Sequence, residues 1–220
     1  MYKKYFKRIL DIIIASVMLI VFSPIMLIIA IAIKIEDGGP IFFVQKRTGL
    51  NGSNFNMYKF RSMVVENDVH DFKKENKITK IGSIIRKTSL DEIPNLFSVF
   101  SGKMSIIGPR PWIEDYNKYF TNYQRRRLEV KPGISGLAQI KSRNNLSIQN
   151  KIKWDVYYVD HVTFKMDVKI FFGTIKQVLS REGAEISKSG IKEELETLKN
   201  QQNNLKKNSL RKMKKESRKV

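Results

Sequence analysis

From Ile12 to Ile33 the chain runs 22 residues without a charge, its single long apolar stretch. As a straight helix that run reaches roughly 33 Å, enough to cross a hydrocarbon core. Ser23-Pro24 interrupts it near the middle, where proline lacks an N–H and crowds the carbonyl of Ile20, so a kink is predicted. Lys3, Lys4, Lys7 and Arg8 precede the run, and Lys34, Lys46 and Arg47 follow it. Basic flanks favour the cytoplasmic face at both ends. A helix that enters the membrane, bends at Ser23-Pro24 and returns to the same face satisfies both preferences; a plain span with a tolerated proline is the alternative. A cleaved signal peptide fits less well, because the run is too long and Lys34 to Pro40 offers no small-residue cleavage site.

Asp37-Gly38-Gly39-Pro40 ends the apolar element. Two short Phe/Val/Tyr-rich runs, Ile41 to Lys46 and Asn54 to Met63, flank Thr48 to Gly52 and predict a hairpin with Lys59 and Arg61 on one strand face. Asn67 to Asn76 is polar and predicts a loop or frayed helix, and Ile78 to Arg86 a short helix. A further helix is predicted from Ile93-Pro94 to Gly102, with proline in its first turn and Asp91 and Glu92 at its mouth. Trp112 to Leu128 places Ile113, Tyr116, Phe120 and Tyr123 at helical spacing, until Lys131-Pro132-Gly133 breaks the pattern. In Phe164 to Leu179 an apolar stripe of Phe164, Val168, Phe171, Phe172, Ile175, Val178 and Leu179 predicts an amphipathic helix. It either packs on the core or lies in a lipid interface.

Beyond Gly183 the chain turns to Lys, Glu, Asn and Gln, the composition of a helical or disordered tail, and from Leu205 it is strongly basic. Such a run attracts anionic lipid, although a merely solvated tail has the same composition. The remaining length holds one domain. A net charge of +20 over 220 residues points to a polyanionic partner, whether nucleic acid, an anionic leaflet or phosphorylated molecules. Without cysteine there are no disulfides or thiolate metal sites, and two histidines, His70 and His161, leave little for zinc or a histidine triad.

Three cationic patches, Lys59-Phe60-Arg61, Arg86-Lys87 and Arg110, surround the adjacent carboxylates Asp91-Glu92. Adjacent carboxylates need cations, a metal or a helix N-terminus to neutralise them. An aspartate attacks phosphorus when the electrophile's charge is masked, and arginine, lysine and a divalent cation provide that masking. Ser89-Leu90-Asp91-Glu92 also fits a capping box, with Arg86 as its ion-pair partner. Gly108-Pro109-Arg110-Pro111 and Lys131 to Gly136 also read as stiff turns.

Lys59-Phe60-Arg61-Ser62-Met63, Arg86 to Asn95, and Gly102 to Pro111 together resemble the bacterial sugar transferase family of polyprenol phosphate phosphoglycosyl transferases. The resemblance extends back through Lys7 to Asp11, Ser23-Pro24 and Gly39 to Gln45. It extends forward through Lys131 to Gln139, Asp155 and Asp167, covering roughly residues 3 to 183.

The resemblance implies a minimal monotopic enzyme of α+β, mainly helical fold. A re-entrant membrane helix (1–36) would carry a cytosolic catalytic domain (37–183) with a small hairpin and interfacial amphipathic helices, followed by the basic tail (184–220). It implies transfer of a sugar 1-phosphate from a UDP-sugar to undecaprenyl phosphate, with UMP released and Mg2+ as cofactor. The setting would be surface-glycan synthesis at the bacterial inner membrane, with downstream glycosyltransferases as candidate partners. Asp91 maps onto the nucleophile and faces the metal, and Glu92 onto a metal holder or base. Lys59, Arg61, Arg86 and Arg110 map onto phosphate-binding positions. Arg143 occupies a position where the family often has Gly-Arg, with Ser142 replacing the glycine, and would face the nucleotide. A membrane-tethered nucleic-acid-binding protein and a non-catalytic scaffold are the rival readings; the first lacks a nucleic-acid motif.

Overall fold

A π-helical turn at Tyr2–Phe6 leads into helix α1, Lys7–Asp37, which contains the whole apolar run. The computed structural model describes residues 1–64, 78–141, 146–180 and 191–216. Where the sequence predicts a break, α1 stays helical through Ser23-Pro24. Pro24 cannot donate to the Ile20 carbonyl, and Ser23 Oγ donates to that carbonyl instead at 2.8 Å. The serine thus satisfies the backbone group that the proline orphans. Gly38, at φ 70°, ends the helix in a left-handed cap whose N–H reaches the Lys34 carbonyl at 3.0 Å.

Both ends of α1 are fastened to the rest of the fold. Near its start, Arg8 donates to the Val99 and Phe100 carbonyls at 2.7 and 2.9 Å, placing a cation on the C-terminus of α3 (Asn95–Phe100). Asp11 accepts from Ser105 Oγ at 3.0 Å and the Ile106 N–H at 2.9 Å. At its far end, Glu36 accepts from the N–H groups of Lys80 and Ile81 at 2.6 and 3.2 Å, so it caps α2 (Lys80–Lys87) from outside. Ile29 and Ile33 are buried there with Phe60 and Ile85. Between the anchors one side of the helix packs through Ala15, Met18 and Leu19 and the other is bare: Ile20 is 74% exposed, and Val21, Leu27 and Ile28 are exposed with it.

The predicted hairpin forms from β1 (Phe42–Thr48) and β2 (Asn54–Phe60), antiparallel, with Phe42 opposite Phe60 and Thr48 opposite Asn54. Its alternation buries Phe55 and Met57. A second, parallel pair, β3 (Ser105–Ile107) with β4 (Gly133–Ser135), joins the segments that read as two stiff turns. The approach is close enough to require glycine: a Cβ on Gly133 would lie 2.1 Å from the Gly108 nitrogen, and one on Gly108 would lie 2.4 Å from the Lys131 carbonyl oxygen.

Residues 112–128 do not form the single predicted helix. They fold as a 3-10 turn at Glu114–Lys118, α4 (Asn122–Arg125) and a second turn at Arg126–Leu128. Thr121 and Gln124 close a capping box that restarts the helix there. Ile113, Tyr116 and Phe120 reach the core, whereas Tyr123 is exposed.

Four helices complete the chain: α5 (Leu137–Lys141), α6 (Ile148–Asp160), α7 (Phe164–Ser180) and α8 (Ile191–Glu216). On α7 the predicted stripe divides: Phe171 packs against the main core, while Phe164, Phe172, Ile175, Val178 and Leu179 are exposed, and the fully buried residue, Ile170, lies outside the stripe. Ile170 is buried in the main core beside Leu96, Val99 and Tyr158, while Phe172 and Leu179 are 64% and 78% exposed. Asp167, buried on α7, accepts from Tyr2 and Lys7 at 2.6 Å each and from Tyr158 at 2.7 Å, which ties the N-terminal segment to α6 and α7. The described part of the tail is the helix α8, and its first half is docked. Leu198 is completely buried among Ile113, Tyr116, Phe120 and Ile152, a contact worth about 2 kcal/mol. Glu194 accepts from Tyr116 at 2.7 Å and Lys151 at 2.9 Å.

Candidate active site

Asp91 and Glu92 sit in a 3-10 turn, Leu90–Glu92, between α2 and α3. Ser89 enters that turn in the left-handed region, φ 56°, a conformation uncommon outside glycine. Its side chain makes no cap, so the predicted capping box is not formed. Glu92 Oε1 instead accepts from Lys59 Nζ at 2.6 Å and Arg110 Nη2 at 2.7 Å. Each of these bonds joins opposite full charges, which the single backbone N–H that a capping box offers to the glutamate does not match.

The nearby cations come from different elements: Lys59 from β2, Arg86 from the last turn of α2, and Arg110 from the segment after β3. That last segment is held by successive carbonyls. The Arg110 oxygen accepts from Arg127 Nη2 at 2.6 Å, the Pro111 oxygen from Arg47 Nη1 at 3.3 Å, and the Trp112 oxygen from the Thr48 N–H at 3.0 Å. Arg127 is itself buried, bonded to Asp155 at 2.7 Å and stacked over Trp112 with its guanidinium carbon 4.2 Å from the ring centroid. Burial pushes the Arg47 guanidinium down to about 10, with the Arg110 charge adding to the effect. The sequence did not single out Arg127, Arg47 entered only as a basic flank of the apolar run, and Asp155 entered only through the resemblance. Their positions carry no periodic or motif signal of a role at Arg110.

The two carboxylates are made unequal by this surrounding. Burial works against ionisation of Glu92, but the charges of Arg110 and Lys59 and their direct bonds win, holding its carboxyl well below the usual range. A group so placed takes up no proton near neutrality, so Glu92 orients Lys59 and Arg110 and makes a poor base. Asp91 is pushed the other way: burial raises it, Glu92 adds to the rise, and Lys59, Arg86 and Arg110 oppose it. Among the described residues no hydrogen bond occupies its carboxylate. Burial also pushes the Lys59 ammonium below its ordinary value.

These groups line a cleft of about 780 Å³. Lys59, Arg86, Asp91, Glu92 and Arg110 make it charged, and Met18 and Phe22 of α1 with Phe171 and Ile175 of α7 make another part apolar. A molecule with an anionic head and an apolar tail fits such a cleft. Arg61 is not among its lining residues. The Arg61 guanidinium is buried and paired with Asp37, so it braces the end of α1. Arg143 and Asn67 to Asn76 lie outside the described residues. Among the described residues no cluster of three or more His, Cys, Asp or Glu forms a cage for a metal. A magnesium ion often needs only one or two carboxylates plus phosphate oxygens, and the open carboxylate of Asp91 meets that requirement.

The low carboxyl of Glu92 has a consequence for acid stability. Its contribution is fully present above the unfolded glutamate value of about 4.3 and is lost as pH falls below it. Glu92→Gln is therefore expected to be less stable than wild type at pH 7, with the difference shrinking as pH drops toward 3. Denaturation midpoints across that range check it; a difference independent of pH contradicts it.

A profile of the bacterial sugar transferase family matches residues 2–181. The chain is 44% identical over 179 residues to the uncharacterised sugar transferase EpsL of Bacillus subtilis, covering 80% of this chain and 89% of that protein. It is 41% identical over 183 residues to the UDP-glucose:undecaprenyl-phosphate glucose-1-phosphate transferase of Klebsiella pneumoniae, covering 77% of this chain and 39% of that one. The undecaprenyl-phosphate galactose phosphotransferase of Salmonella typhimurium is 38% identical over 200 residues, 82% of this chain and 42% of its own length. The chain thus spans most of the Bacillus protein and less than half of the other two. With residues 2–181 matched, including all of α1 and every lining residue of the cleft, this chain belongs to the bacterial sugar transferase family.

Proposed function

We propose that the protein transfers a sugar 1-phosphate from a UDP-sugar to undecaprenyl phosphate, releasing UMP, in bacterial surface-glycan synthesis. The name of the Klebsiella relative supports both substrates, and that of the Salmonella relative supports the lipid phosphate. The observation that carries the reading is the division of labour in the carboxylate pair: Glu92 is consumed by Lys59 and Arg110, and Asp91 is left open beside the same cations.

In this reading an Asp91 oxygen attacks the phosphorus that bears the sugar. The bond from that phosphorus to the bridging oxygen breaks, and UMP leaves with the electron pair. An oxygen of the lipid phosphate then attacks the same phosphorus, the acyl phosphate bond breaks, and Asp91 is restored as carboxylate. Lys59, Arg86 and Arg110 hold phosphate oxygens and reduce the repulsion that an anionic nucleophile meets. Burial favours this chemistry, because a carboxylate with a raised pKa is more basic and the stronger nucleophile. Mg2+, held by Asp91 and substrate phosphates, would supply further charge neutralisation.

The anchoring of α1 at both ends to one domain supports a re-entrant helix on the cytoplasmic side. Lys7, Arg8 and Asp11 bind at one end and Glu36 and Asp37 at the other, and the bare apolar stretch around Pro24 lies between them. The exposed residues of α7 would sit in the interface, and the basic tail would meet anionic lipid. UMP release from UDP-glucose, UDP-galactose and their N-acetylated forms, with undecaprenyl phosphate, tests the proposal. Continuous turnover that requires both the lipid phosphate and Mg2+ is expected, with at most one UMP released per chain when the lipid phosphate is left out; no release from any donor would leave a non-catalytic scaffold.

A further inference from the structure

Part of the cleft is neutral and hydrogen-bonding. Ser135 ends β4, Gln139 lies on α5, and Thr174 and Gln177 lie one turn apart on α7, all lining the same cleft as Asp91. Thr174 Oγ1 donates to the Ile170 carbonyl at 2.9 Å, so in its bond with Ser135 the serine is the donor. Among the described residues nothing donates to Ser135 Oγ. Gln139 Nε2 donates to the Ile134 carbonyl at 3.3 Å, and Gln177 Nε2 donates to the Gln139 backbone oxygen at 3.1 Å. The side-chain oxygen of Gln139 is buried and has no partner among the described residues. A buried acceptor without a donor is uncommon in a folded protein and calls for one.

We infer that Gln139 and Ser135, framed by Thr174 and Gln177, read the hexose of the nucleotide sugar by accepting hydrogen bonds from its hydroxyl or amide groups. The inference rests on the transfer reaction proposed above. Uncharged acceptors repel phosphate oxygens, so this part of the cleft takes a portion of the ligand that carries donors. An isoprenoid tail has none. The choice between hexose and ribose follows from α7, where Thr174 and Gln177 are interleaved with Ile175 and Val178, which line the cleft with Met18 and Phe22. The hexose must stay beside that apolar part until the lipid receives it, whereas the ribose departs with UMP. A site that hydrogen-bonds a substrate hydroxyl discriminates strongly against an analogue that lacks or misplaces it.

The test compares kcat/KM of the full-length chain and its variants for UDP-glucose, UDP-galactose, UDP-N-acetylglucosamine and UDP-N-acetylgalactosamine, with undecaprenyl phosphate as acceptor. Gln139→Met is expected to lose about tenfold or more on the preferred donor and less on the others, which narrows the preference. Inhibition by UMP is expected to be unchanged in Gln139→Met. Ser135→Ala gives the same comparison if Gln139→Met fails to fold. Equal loss on every donor, or an unaltered preference, overturns the inference while leaving the transfer reaction standing. Weaker inhibition by UMP assigns these groups to the ribose and overturns it too. A wild-type chain that turns over no UDP-sugar removes the proposed reaction and the inference with it.

Discussion

Asp91→Asn is expected to abolish sugar-phosphate transfer, by about 10⁴-fold or more, and at the same time to raise the melting temperature. The loss follows from removing the attacking oxygen while Lys59, Arg86, Glu92 and Arg110 remain. The gain follows from the raised pKa of Asp91: above that value the folded state holds a charge that burial penalises, and at pH 7 a neutral amide removes the penalty. A single substitution that kills activity and stabilises the fold separates a chemical role from a structural one. Initial rates of radiolabelled sugar phosphate entering the lipid fraction, beside thermal denaturation of the same preparation, check both halves. Retained transfer would sink the assignment, and a lower melting temperature would contradict the electrostatic argument.

Arg127→Met is expected to have the largest cost in stability, about 3–5 kcal/mol and roughly 10 °C in melting temperature. The side chains of Arg127 and Asp155 are 1% and 2% exposed, and Arg127 bonds Asp155 through Nη2 at 2.7 Å and through Nε at 3.0 Å. Burial already pushes the Asp155 carboxyl up, and Arg127 is what opposes that push. Without the guanidinium, Asp155 is left as a buried acid with no counter-charge. Replacing both, Arg127→Met with Asp155→Leu, is expected to restore most of the loss, since the penalty belongs to the stranded partner. Activity should not return with it, because the Arg110 carbonyl still lacks its donor and Arg110 is no longer held against Glu92. Arg127→Lys should fare badly as well, having neither the forked bond nor the flat face that lies on Trp112.

The elements legible in the sequence are those whose pattern is longer than its period. The hairpin shows two Phe/Val/Tyr-rich runs around a Gly/Asn turn, and α7 shows its apolar face over 17 residues. β3 and β4 have three residues each, too few for alternation, and they exist because Gly108 and Gly133 let two backbones touch. The 112–128 segment has apolar residues at helical spacing, yet the capping box at Thr121 restarts the chain in a new direction, a local signal that the periodicity obscured. At the site, Ser89 to Glu92 fits a local cap, and long-range charge prevails: Lys59 lies 33 positions away and takes the Glu92 carboxylate. The same competition misplaced Arg61, which shares a motif with Lys59 but answers to Asp37. Arg127 and Asp155, 28 positions apart, meet only through tertiary folding.

The most direct measurement is the intact mass of the chain, quenched early after mixing with UDP-sugar and Mg2+ in the absence of lipid phosphate. The expected result is a gain of one hexose phosphate, absent from Asp91→Asn and discharged on adding undecaprenyl phosphate. A chain that releases UMP at full rate with both substrates yet never carries that mass would contradict the account.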